Sequence, residues 1–177
     1  YKNTQKITAL LTHKSRCSLY FIIRNIRERA YKVGELVRKI IISDIHGSYY
    51  TMKKLLDEVK FNPEEDKLIC LGDMCDRGKN TKLVWEYFYN LQKDYSHHVV
   101  LLGNHEDMFN LALKEARYNV LDSRRQDHYF RNNGLTTLQS FYPEVTIENR
   151  RYYFKKFARE YKKLRLWLKK LQTRYES

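Results

Sequence analysis

"KLICLGDMCDRG" (67–78) runs from a short apolar segment straight into a loop with two aspartates three residues apart, an arginine and two glycines. Asp73 and Asp76 repel one another at that spacing, and a plain surface turn needs neither them nor Arg77. The segment therefore reads as a buried strand feeding a functional loop. The same design occurs on either side of it. "RKIIIS" (38–43) is a continuous β-branched run, and "HHVVLL" (97–102) is a third apolar run. Such runs are expected for strands buried on both faces. Helical spacing fills the gaps: Met52, Leu55, Leu56 and Val59 in 48–60, Val84, Trp85, Phe88 and Leu91 in 81–91, then the stretch 106–118. The resulting β-α-β-α-β-α order predicts an α/β fold with neighbouring parallel strands and right-handed crossovers.

Beyond residue 118 the rhythm loosens. Residues 119–134 read as a long polar connection, with His128 on the surface, and 135–141 as a short helical piece. "RYYFKKFAREYKKLRLWLKKL" (151–171) reads as one basic amphipathic helix. Its apolar stripe, Phe154, Phe157, Ala158, Tyr161, Leu164, Trp167, Leu168 and Leu171, is expected to pack on the domain rather than on a membrane.

Composition narrows the function classes. With 177 residues and 42% apolar content, the chain is long enough for one real core. "SLYFII" (18–23) falls far short of the ~20 apolar residues of a membrane span and precedes no small-residue cleavage site. Cys17, Cys70 and Cys75 form no CxxC pair and no full set of pairs, which fits a reduced, cytoplasmic protein. The net charge is +13, but it is concentrated at the ends. Residues 1–38 hold nine basic and two acidic side chains, 39–144 hold fourteen and sixteen, and 145–177 hold eleven and three. Two solvated flanks account for this better than a stripe shaped for a phosphate backbone, so nucleic acid is disfavoured as a partner.

Three loops end the three strands: "SDIHG" (43–47), "GDMCDRG" (72–78) and "GNHED" (103–107). Asp44 to Asp73 is 29 residues and Asp73 to Asn104 is 31, each about one βαβ unit. Adjacent parallel strands would gather the loops at one sheet edge, where open α/β sheets bind ligands. Carboxylate, imidazole and amide oxygen suit hard or borderline divalent cations. Asp44 and His46 can face one ion, Asp73 on the central strand can bridge two, and Asn104 adds a neutral oxygen. Each motif alone is an ordinary turn or cap; "GNHE" could simply start a helix, with Asn104 as N-cap and Glu106 in the first turn. All three in order are hard to produce by chance.

D-x-H, G-D-x-x-D-R-G and G-N-H-E together resemble the signature of the calcineurin-like metallophosphoesterases, and "FRNNGLTTLQSF" (130–141) resembles that family's following stretch. The resemblance covers roughly 38–171, and the GDxxDRG form points to the bacterial phosphoprotein (Ser/Thr) phosphatase branch. It implies half of a metallophosphoesterase sandwich, with the second sheet largely missing. It also implies two divalent ions, manganese first and iron or zinc as alternatives, on Asp44, His46, Asp73 and Asn104. A water bridging them would attack phosphorus. Arg77 would clamp the phosphoryl oxygens beside Asn104 and His105, and His105, oriented by Asp76, would protonate the leaving oxygen.

The substrate implied is a phosphorylated protein or a small phosphoester. Hydrolysis of dinucleoside polyphosphates is the alternative within the class, and a non-catalytic basic binding module the alternative outside it. Family members carry two further histidine ligands later in the chain, so residues 37–177 are expected to be the N-terminal part of the domain. Residues 1–36 have no counterpart in the pattern. Gly34-Glu35 can be encoded by a purine-rich stretch like a ribosome-binding site, so 1–36 are expected to be translated upstream sequence rather than native protein.

Overall fold

The three apolar runs become neighbouring strands. A computed structural model describes residues 26–29, 36–118 and 124–176. It places β1 (Ile26–Arg29), β2 (Leu36–Ile42), β3 (Lys67–Cys70) and β4 (Val99–Val100) in one sheet, in that order. β2, β3 and β4 are parallel, with Ile40 opposite Leu68 and Cys70 opposite Val100, while β1 runs antiparallel along β2. β1 falls in the basic extension, and its sequence IRER carries no apolar period that would announce it. The third run yields only two strand residues, and Leu101 then bridges in parallel to Gln172. His98 explains part of the shortening: its Nδ1 takes the Leu68 N–H at 3.0 Å.

Among the described residues the sheet has one fully covered face. Ile40, Ile42, Leu68, Cys70 and Val100 point into the core, whereas on the other face Ile69 is buried, Ile41 half-buried and Leu71 45% exposed. The helices responsible are α1 (Tyr49–Glu58), α2 (Thr81–Asp94) and α3 (Asn104–Arg117), each following a strand as the periodicity predicts. Phe109 of α3 sits at the centre, 5.0 Å from the ring of Trp85, 5.2 Å from Phe157 and 5.8 Å from Tyr129. Burying rings of this size is the largest single favourable contribution to such a core.

Two expectations change after residue 118. The polar connection contains a helix, α4 (Arg124–Arg131), in which only Gln126 and Tyr129 are buried. Two inward residues in eight leave no readable apolar stripe. The basic helix is two helices, α6 (Arg150–Glu160) and α7 (Lys162–Leu168), following α5 (Leu135–Phe141). Tyr161 at the break stacks on Phe157 at 5.3 Å, and the Trp167 indole N–H donates to Gln92 at 2.8 Å. The stripe packs on the domain as expected. No described helix is long and apolar enough to cross a membrane.

His98 gives this packing a pH dependence. Burial holds its pKa down to about 4, because the neutral ring must accept the Leu68 N–H and a charge there would be desolvated. An unfolded histidine titrates near ~6.5, so between these values the unfolded chain binds more protons. The contribution of His98 is therefore full above about pH 6.5 and falls as pH drops towards 4. Thermal melts across that window should show the loss, and His98→Asn, which keeps an acceptor, should flatten it.

Candidate active site

The loops after β2, β3 and β4 meet at the carboxyl edge of the sheet. The His46 and Gly47 N–H groups donate to the Asp73 and Met74 carbonyls at 3.0 and 2.8 Å, and the Gly78 N–H donates back to the His46 carbonyl at 3.0 Å. The second and third loops touch at Gly72 and Gly103. Gly72 has φ +100°, and a Cβ on it would lie 2.3 Å from the Gly103 nitrogen, so only glycine fits. Five non-glycine residues of the first two loops, Asp44, His46, Asp73, Asp76 and Arg77, also have positive φ. Backbone of this kind costs energy and persists only where its surroundings impose it.

Glu106 supplies much of that imposition. Its fully buried carboxylate accepts four backbone N–H groups: Asp73 at 2.9 Å and Gly103 at 3.1 Å on one oxygen, Met74 at 2.8 Å and Cys75 at 3.0 Å on the other. One side chain at the start of α3 thus folds the second loop around itself. Burial pushes the Glu106 carboxyl up, and the bonds from Cys75 and Met74 work against that. Cys75 is buried in the same loop with its thiol pushed up by desolvation, the inert filler role expected for it.

Within this frame the predicted residues converge. His46 and His105 meet edge to face at 4.7 Å, and the Asp44 Oδ1 lies 3.8 Å from the His46 Nε2. The His46 Nδ1 is 2.7 Å from the Cys75 carbonyl, which assigns the proton to Nδ1 and leaves Nε2 free as a ligand. Burial lowers its pKa, with the Arg77 and His105 charges acting in the same direction. Asp73 accepts the His105 backbone N–H at 3.1 Å, and the Asn104 side-chain amide lies against the same carboxylate. Arg77 is exposed at the rim.

The His105 Nδ1 is 2.7 Å from the Asp76 Oδ2. Burial disfavours its charge, yet the hydrogen bond to Asp76 and the nearby carboxylates outweigh this and raise its pKa. Asp76 is itself fully buried, its Oδ1 accepting the Tyr129 hydroxyl at 2.7 Å and the Thr137 hydroxyl at 2.6 Å.

One donor atom each from His46, Asp73 and His105 lies within 4.8 Å of the others, a set of nitrogen and oxygen donors that fits a divalent cation. Asp44, on the His46 loop, lies outside that set, its Oδ1 3.8 Å from the His46 Nε2. His128 is exposed on α4, as expected. Glu106, Tyr129 and Thr137 were not among the predicted site residues. Glu106 could have been found, since it ends the GNHE motif, and Thr137 lies in the 130–141 stretch that resembles the family's; Tyr129 carries no local signal.

The calcineurin-like phosphoesterase family model matches residues 37–174. The chain belongs to that family. Its single described sheet with helices on one face is half of a metallophosphoesterase fold. A symmetrical bis(5'-nucleosyl)-tetraphosphatase of Buchnera aphidicola is 37% identical over 89 residues, covering 50% of this chain and 30% of that enzyme. The Erwinia tasmaniensis enzyme of the same name is 39% identical over 66 residues, covering 37% and 23%. A solved structure provisionally described as a diadenosine tetraphosphatase covers 52% of this chain and 41% of its own, at 24% identity and a TM-score of 0.38. The matched segment spans under a third of the curated relatives' length. These relatives stand with the nucleotide-hydrolase alternative rather than with the protein Ser/Thr phosphatase ranked first from the sequence.

The Glu106 cradle can be tested directly. Glu106→Gln leaves one oxygen to accept and turns an NH2 group against two N–H donors. The cost should be about 2–3 kcal/mol, from desolvated donors left unpaired. Circular dichroism should show a melting point lower by roughly 5–10 °C, the usual scale for a domain of this size.

Proposed function

We propose that the site hydrolyses phosphoanhydrides of dinucleoside polyphosphates with the help of divalent cations. The observation that carries this reading is the placement of the His105–Asp76 pair, 2.7 Å apart, among the donor atoms of His46 and Asp73. A proton donor and a cation site in one loop cluster are what cleavage of a P–O bond requires. The choice of dinucleoside polyphosphates over phosphoproteins is supported by the names of the relatives, against the GDxxDRG form that points to the phosphoprotein branch.

In this reading Asp44, His46, Asp73 and Asn104 would hold the cations, with Mn²⁺ the first choice. The ions, when bound, would acidify water and neutralise phosphate charge. Arg77 at the rim binds the phosphoryl oxygens with its forked donors. Asn104 and His105 face the same oxygens. The His105 Nε2 gives its proton to the departing oxygen, while Asp76 holds the ring by Nδ1. Symmetrical cleavage adds one water across the central P–O–P bridge: the water oxygen joins one inner phosphorus, the bridging bond breaks, and two nucleoside diphosphates leave.

Incubation with diadenosine tetraphosphate and Mn²⁺, followed by ion-exchange chromatography, should give two ADP per substrate consumed. Release of phosphate from a phosphoserine peptide with the dinucleotide left intact would overturn the reading. Asp73→Asn should remove both turnover and Mn²⁺ binding measured by calorimetry. His105→Asn should lower kcat by about 10²–10⁴, the usual worth of a positioned acid, with Mn²⁺ still bound. Loss of the metal in that variant would reassign His105 as a ligand.

A further inference from the structure

The buried hydroxyls of Tyr129 and Thr137 touch no predicted ligand, yet both end on the same oxygen of Asp76, at 2.7 and 2.6 Å. We infer that Tyr129 and Thr137 are positioning residues that aim the Asp76 carboxylate, and through it the His105 ring, at the reacting phosphate; this rests on the hydrolase reading above.

The inference follows from acceptor arithmetic. A carboxylate has two oxygens and can rotate to offer either edge to a neighbour. In Asp76 one oxygen is filled by two hydroxyl donors from α4 and α5, so only Oδ2 faces the His105 Nδ1. The donors are themselves fixed. Thr137 has one hydroxyl proton, and giving it to Asp76 means that its oxygen must accept. It takes the Asp76 backbone N–H at 2.9 Å, and the Thr81 hydroxyl, 3.4 Å away, must then be the donor of that pair. Tyr129, Thr137 and Thr81 are all fully buried, so no water competes for these bonds.

Packing alone does not require this arrangement. Tyr129 lies against Phe109, Phe130 and Phe154 with ring centroids at 5.8, 5.4 and 6.2 Å, contacts that phenylalanine would make equally well. Its hydroxyl adds the bond to Asp76, beside the Thr137 hydroxyl. A dry, fixed carboxylate holds an imidazole in one orientation, and a small error in that orientation lowers the rate of proton transfer.

The test compares two aryl phosphates with Mn²⁺ and the full chain. Phenyl phosphate needs its leaving oxygen protonated, whereas 2,4-dinitrophenyl phosphate does not. Tyr129→Phe should lower kcat on phenyl phosphate about tenfold, a fraction of the 10²–10⁴ worth of the acid, with KM unchanged and with 2,4-dinitrophenyl phosphate turnover within about twofold. Thr137→Ser should behave as wild type, because it keeps the hydroxyl. Equal losses on both substrates, or no loss on either, would overturn the inference.

A second measurement stands apart from activity. In ¹⁵N-histidine spectra the His105 Nδ1–H signal should be sharp and downfield in the wild type, and should shift or broaden in Tyr129→Phe and in Tyr129→Phe with Thr137→Val. An unchanged signal in both variants overturns the inference. If the wild type hydrolyses neither ester nor the dinucleotide, the hydrolase reading fails, and the spectra alone decide whether these hydroxyls hold the pair.

Discussion

The buried carboxylate of Glu106 is the interaction on which the rest of the site depends. It takes the N–H groups of Asp73, Met74, Cys75 and Gly103, so the third loop grips the second from inside the protein. Four donors on one carboxylate offset part of the desolvation of a side chain with 0% exposure. They also stabilise a loop whose Asp73, Asp76 and Arg77 sit at positive φ, a conformation that side-chain-bearing residues adopt at a cost. Two like charges three residues apart are held because each side chain is turned to a different partner.

The sheet sets where those partners stand. Parallel β2, β3 and β4 end at one edge, and the glycine contacts there bring backbone against backbone. Asp73 leaves the central strand and so lies between His46 on one side and Asn104 and His105 on the other. Asp76, deeper in the same loop, faces α4 and α5 as well as His105. One loop therefore serves the cation side with Asp73, the proton side with Asp76 and the rim with Arg77.

Regions where the sequence was hard to read share a physical cause. β2 to β4 and α1 to α3 are marked by apolar periods, because each buries a continuous face, whereas the IRER of β1 carries none. α4 buries two residues of eight, so its sequence looks like loop. The split at Tyr161 is equally hidden, since the apolar stripe continues on both sides of it. The short third strand depends on His98, whose ring takes the Leu68 N–H that lies next to a possible ladder. None of these depends on a property of its own segment alone.

By itself, the sequence determined the α/β order, the three loops and the residues that line them, because spacing along a strand–helix–strand unit dictates which loops share an edge. It also showed the family, through motifs whose residue types are demanded by their chemistry. Only the tertiary structure decided that Glu106 builds the second loop, that Tyr129 and Thr137 close on Asp76, and that the sheet is fully covered on one face. Those contacts join residues 31 to 61 apart, through bonds that no local pattern encodes. Pairings at that range follow from how the helices pack, and packing is a property of the whole core.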